Sequence, residues 1–176
     1  MGILFKHSIT LVELLLAVAL IGLLIVGISS LDSFARLNLI TSDRRVQLQN
    51  ELTLVLEDMS RSIFRATGNN IDRGIASIPN GFQVRVDNNN TPEDYTDDDW
   101  IDYTLSGNRI NKDAASLNTR DIIISPGGFN FTILDQGIGI EISLVGRFDP
   151  TQNVSIDNPG LEMRTKIYSR SASSAL

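Results

Sequence analysis

A chain of 176 residues carrying a formal charge of −6 has room for one modest globular domain and an anchor, which excludes a large multidomain enzyme. Its 15 lysines and arginines are scattered among 21 aspartates and glutamates, so the clustered positive footprint of a nucleic-acid binder is missing and no nucleic-acid contact is expected. With no cysteine, disulfides, thiolate metal sites and cysteine nucleophiles are excluded; the one histidine, His7, has no partner residues near it in sequence for Ser/His/Asp catalysis or zinc binding.

From Ile9 to Ile28 the chain runs ITLVELLLAVALIGLLIVGI, twenty residues in which Thr10 and Glu13 are the clear polar positions. At about 1.5 Å per helical residue this reaches roughly 30 Å, the thickness of one bilayer core. A secretory signal peptide has a shorter apolar core followed by a small-residue cleavage site. Here the run continues without an A-x-A pattern into LDSFARLNLI, so the segment is expected to stay on the protein. Lys6 precedes the run and Arg36, Arg44 and Arg45 follow it, so a count of charges does not orient it. Glu13 is the anomaly: a carboxylate inside an apolar helix costs about 2.5 to 3.5 kcal/mol to insert unless something pairs with it. The plainer alternative is a signal anchor in which Glu13 snorkels or draws water to the boundary.

The segment KHSITLVELLLAVALIGLL resembles the N-terminal signal of type IV prepilins and type II secretion pseudopilins. In that family a short leader is cut before an apolar helix that carries glutamate at the fifth position after the cut. The resemblance implies a cut between Ser8 and Ile9, methylation of the new N-terminal residue Ile9, and an assembly contact between the Ile9 amine and Glu13 of the same or an adjacent subunit. Ser8 stands where the family usually has glycine, and Ile9 where it usually has phenylalanine or methionine. An ammonium a few ångströms from a carboxylate in low dielectric relieves the desolvation that each suffers alone, and a subunit added out of register leaves both uncompensated. The resemblance also implies the partners: a prepilin peptidase that is also the N-methyltransferase, other pilin or pseudopilin subunits, an inner-membrane assembly platform, and membrane lipid. It implies a single-pass location in the bacterial inner membrane with the C-terminal domain outside the cytoplasm, followed by entry into a pilus or pseudopilus.

No proline precedes Pro79 and no glycine falls between Gly27 and Gly68, so one long helix from about Ile9 to Ala66 is expected. Beyond the bilayer Leu37, Ile40, Leu48, Leu52, Val55, Leu56, Met59 and Ile63 recur at spacings of three and four with a gap at Arg44. Asp43, Arg45, Glu51, Asp58 and Arg65 fill other faces, which makes the stripe one that packs on a sheet. After Gly68-Asn69-Asn70 come short β-prone runs, GFQVRV, WIDYTL, NRINK, DIIIS, FNFTIL, GIEISLV and LEMRTKIYS, which predict an antiparallel sheet. Ser106-Gly107-Asn108 marks a hairpin, because Gly107 and Asn108 tolerate positive φ. Pro126-Gly127-Gly128 is followed by a strand, so it reads as a turn and not as a phosphate loop.

The expected fold class is therefore α+β, and its layout resembles the type IV pilin fold. The expected divisions are a leader (1–8), a transmembrane half of the helix (9–31), its amphipathic outer half (32–67) and an antiparallel β-sheet domain (68–176). RRVQLQNELTLVLEDMSRSIFRATGNN, the later strand pair and the final EMRTKIYSR run resemble J-class minor pseudopilins and W-type minor pilins more than small major pilins. The retained Glu13 departs from the K-class tip pseudopilins, and the lack of a C-terminal cysteine pair departs from many major pilins.

The loop 87–102, DNNNTPEDYTDDDWID, gathers Asp87, Glu93, Asp94, Asp97, Asp98, Asp99 and Asp102 with the amide oxygens of Asn88, Asn89 and Asn90. Such hard oxygen ligands suit calcium, which some pseudopilins bind in loops of the sheet domain. The loop lacks the EF-hand spacing D-x-[DN]-x-[DN]-G with a distal glutamate, and a solvated loop is the plainer reading, so no metal ligand is assigned. Nothing marks a cleft or separates an acid from a base, so neither a catalytic residue nor a cofactor is assigned. Two readings stand beside a minor filament subunit: a major pilin, and a signal-anchored ectodomain that binds a ligand and never polymerises.

Overall fold

The computed structural model of the chain describes residues 10–68, 73–91, 94–119, 121–155 and 158–170. By internal contacts the chain divides into two compact units, Met1–Ser42 and Asp43–Leu176. One helix, α1 (Leu11–Phe64), contributes to both, and its bounds lie within two residues of the span expected from the sequence. Ala66 has already left the helix and forms an isolated bridge with Val86.

In the first unit, the apolar side chains from Leu11 to Leu31 are exposed, and the helix is long and apolar enough to cross a membrane. The polar side chains that follow find partners on their own helix. Ser30, Ser33, Asn38 and Thr41 each donate to the carbonyl four residues back, at 2.9, 3.0, 3.0 and 2.9 Å. Asp32 and Arg36 pair at 2.9 Å on the surface. Leu37 and Ile40, the first members of the expected apolar stripe, are 50% and 48% exposed, so in this structure the buried face of the helix begins later, at Leu48.

The second unit is α+β. Its helical part buries Leu48, Leu52, Val55, Leu56, Met59 and Ile63, and each such side chain contributes about 1.5 to 3 kcal/mol of burial. The single sheet expected from the sequence is two. Five strands, β1 (Ile75–Ile78), β2 (Gly81–Val86), β3 (Asp99–Ser106), β4 (Arg109–Lys112) and β5 (Ala115–Ser116), form an antiparallel meander in chain order. Three more, β6 (Ile123–Leu134), β7 (Gly139–Arg147) and β8 (Leu161–Tyr168), form a second antiparallel sheet. Ile140, Ile142 and Leu144 alternate inward along β7. Phe129 and Phe131, two apart on β6 and so on one face, meet Phe82 of β2 at ring distances of 6.2 and 5.5 Å, and Phe82 stacks on Tyr103 of β3 at 5.3 Å. This aromatic cluster gives the two sheets a common core.

The hairpin β3–β4 forms as expected, although only Gly107 takes positive φ, at +60°, the pattern of a II′ turn with glycine first. Pro126-Gly127-Gly128 is not a turn between strands. It is a bulge inside the continuous strand β6, where the register jumps from Ile124↔Gly146 to Phe129↔Leu144. Proline is tolerated there because no ladder hydrogen bond is asked of it. Strands β1 and β5 had no sequence signal of their own.

Candidate functional site

Ser8 and Ile9, the expected cleavage and methylation positions, lie outside the described residues, as does the rest of the leader 1–8. Thr10 stands at the head of α1. Its Oγ1 accepts a hydrogen bond from the Glu13 N–H at 3.3 Å, and its carbonyl accepts from the Leu14 N–H at 3.1 Å. Thr10 is therefore the N-cap and Glu13 the third helical residue, the T-x-x-E order of a capping box. That signal stood in the sequence as a threonine three residues ahead of a glutamate at the head of an apolar run, and reading Glu13 only as an intramembrane charge passes over it. Glu13 is exposed in the first turn of α1, where the positive end of the helix dipole favours an anion.

No ionisable side chain follows from Leu14 to Leu31, so the carboxylate is the sole side-chain charge on that part of the helix until Asp32. One carboxylate with a capped helix start offers an acceptor for a cation, most simply an ammonium.

The acidic loop is organised by hydrogen bonds within itself. Asp97 accepts from Asn89 Nδ2 at its carbonyl, 3.1 Å, and from the Thr91 hydroxyl at both carboxylate oxygens, 3.1 and 3.0 Å. Asp99 accepts from Asn88 Nδ2 at 2.6 Å, and Asp87 from the Thr91 N–H at 3.2 Å. The Thr96 hydroxyl and N–H hold the Asp94 carboxyl below the usual carboxylate range. Glu93 lies outside the described residues. Among the described residues no three carboxylate or histidine side chains converge as a metal cage would require.

Asp98 does something the sequence did not signal. Its side chain is 1% exposed and pairs with Arg85, itself 5% exposed, at 3.5 Å from Nε to Oδ2. The same oxygen accepts from the Thr67 hydroxyl at 2.9 Å, and Arg85 Nε donates to the Thr67 carbonyl at 3.3 Å. Tyr95 and Trp100 cover the guanidinium at 4.3 and 5.6 Å. The acidic run therefore contributes a buried ion pair that fastens the loop to the segment just past α1.

A second polar cluster joins helix to sheet. The Tyr103 hydroxyl lies 2.8 Å from Asp58 Oδ2 and 2.8 Å from Ser62 Oγ, and Lys112 Nζ donates to both Asp58 oxygens at 3.2 and 3.1 Å. Burial, with the Asp58 carboxylate adding to it, pushes the Tyr103 hydroxyl well above the ordinary tyrosine range. Asp58 and Ser62 are one helical turn apart and so share a face, but the strand partner 45 residues on could not be named from spacing.

No family model, curated protein or solved structure matches this chain.

Proposed function

We propose that this chain is a prepilin-like subunit, trimmed between Ser8 and Ile9 and assembled through α1 into a type IV pilus or type II secretion pseudopilus, as a minor subunit of the J or W kind. The observation that carries the reading is Glu13, a lone carboxylate in the first turn of a long apolar helix, at the fifth position from the implied cut. The α+β layout, with the later half of α1 buried against antiparallel strands, is compatible with a pilin-like fold and supports the reading without identifying it.

In this role the work is mechanical. The subunit is held in the membrane by α1 with its sheet unit outside the cytoplasm. Removal of Met1 to Ser8 creates an ammonium at Ile9, and that charge and the Glu13 carboxylate offset one another's desolvation when the helix joins the filament. The peptidase that cuts and methylates the chain, the assembly platform and the neighbouring subunits are the partners this mechanism requires.

The test is the intact mass of the full chain expressed with and without a prepilin peptidase. A peptidase-dependent product beginning at methylated Ile9 supports the proposal. A chain of unchanged mass in the presence of active peptidase favours the non-polymerising signal anchor.

A further inference from the structure

Three Asn-x-Ser/Thr tripeptides without a central proline occur in the chain: Asn89-Asn90-Thr91, Asn130-Phe131-Thr132 and Asn153-Val154-Ser155. This pattern is the acceptor signal for N-linked glycans and belongs on an exposed loop, where the side-chain amide and the hydroxyl two residues on can be read together.

The structure separates the three. Asn89 spends its amide on the Asp97 carbonyl and carboxylate, at 3.1 and 3.3 Å, and the Thr91 hydroxyl is bound to the same carboxylate. Asn130 sits in β6 opposite Ser143, with its amide donating to the Gly127 carbonyl at 2.8 Å. Asn153 lies between β7 and β8 in irregular backbone where Thr151 to Ser155 are all exposed, Val154 at 59%. Its side-chain amide has no hydrogen-bond partner among the described residues. The Ser155 oxygen accepts from the Asn158 N–H at 3.1 Å, and among the described residues its O–H donates to none.

The base of this loop is fixed. Asn158 is buried and donates to the Asp149 and Gln152 carbonyls at 2.6 and 3.3 Å, while its oxygen accepts from the Asp149 N–H at 3.0 Å. The tripeptide is thus presented outward from an anchored stem.

We infer that Asn153 is an acceptor for an N-linked glycan, supplied by a lipid-linked diphosphate sugar. The Asn153 amide nitrogen forms a bond to the anomeric carbon, the bond from that carbon to the diphosphate oxygen breaks, the amide loses one proton, and the lipid diphosphate leaves. The inference rests on the proposed topology, because it needs the sheet unit outside the cytoplasm, where such donors are presented.

The experiment is mass analysis of tryptic peptides from the full chain purified from the membranes of its own cells. The expected result is added sugar mass on the peptide Phe148–Arg164, abolished by Asn153→Gln and by Ser155→Ala and retained in Ser155→Thr, with Asn89 and Asn130 unmodified. A bare Phe148–Arg164 peptide in the unaltered chain, or sugar mass that survives on it in Asn153→Gln, overturns the assignment. The N-terminal peptide of the same digest keeps the two proposals apart. A processed, methylated Ile9 with bare Asn153 overturns only the glycan, and an unprocessed N-terminus with sugar on Asn153 overturns only the filament reading.

Discussion

At the scale of single residues, the Arg85–Asp98 pair is the most exposed to test. Asp98→Ala takes a charged hydrogen-bond acceptor from the buried Arg85 guanidinium and the Thr67 hydroxyl, so it is expected to destabilise the sheet unit by about 1.5 to 3 kcal/mol, measured by denaturant unfolding. Replacing Asp97, whose bonds lie in the exposed loop, should change stability within about 0.5 kcal/mol. Tyr103 carries a pH signature. Its folded pKa is raised, so its contribution is fully present below about pH 10 and is lost as pH rises beyond, with a slope of about 1.4 kcal/mol per pH unit until the buried hydroxyl itself titrates. Tyr103→Phe should remove that slope and cost about 1 kcal/mol at neutral pH. A phenolate absorbance titration should show one tyrosine ionising only as the protein unfolds. Neither cluster was legible in the sequence. Three consecutive aspartates, 97 to 99, read as a solvated run because composition cannot show which one the fold turns inward, and the Asp58 to Tyr103 contact depends on how helix and sheet dock.

At the scale of elements, the packing of α1 on β7 turns on a missing side chain. A Cβ at Gly146 would lie 3.0 Å from both Leu48 Cδ1 and Leu52 Cδ2. Gly146→Val is therefore expected to cost about 1 to 3 kcal/mol by overpacking, and Leu52→Ala about 2 to 5 by leaving a cavity. The double variant should be less destabilised than their sum, because the added methyls occupy the vacated space, and a double-mutant cycle measures the difference. Elements were the most legible level. The run GFQVRV coincides with β2, and the absence of proline and glycine bounded α1 to within two residues. Legibility failed at β6, where Pro-Gly-Gly has the composition of a turn and only the partner strand β7 carries the ladder across it. It failed also at β5, too short at two residues to show a period.

At the scale of the whole molecule, the buried core begins at Leu48, so the chemistry at the helix start and the stability of the sheet unit draw on different residues. Glu13→Leu is expected to leave unfolding of the sheet unit within about 0.5 kcal/mol of the unaltered chain and, under the proposed processing, to leave peptidase cleavage largely intact. Under the proposed filament role, incorporation should fall on the order of a hundredfold, since the Ile9 ammonium left unpaired in lipid costs about 2.5 to 3.5 kcal/mol. Normal assembly of that variant would contradict the pairing. The division into two sheets was hidden from the sequence because strand patterning reports which residues alternate and not which strands share a ladder. The uncharged stretch from Leu14 to Leu31 has a further bearing. A uniformly apolar rod is nearly indifferent to sliding along its own axis, since one turn of displacement, about 5.4 Å, exchanges like for like. Glu13 at one end, with Asp32 and Arg36 closing the other, removes that degeneracy and gives the helix a zero mark, so that axial position becomes a quantity the chain itself specifies.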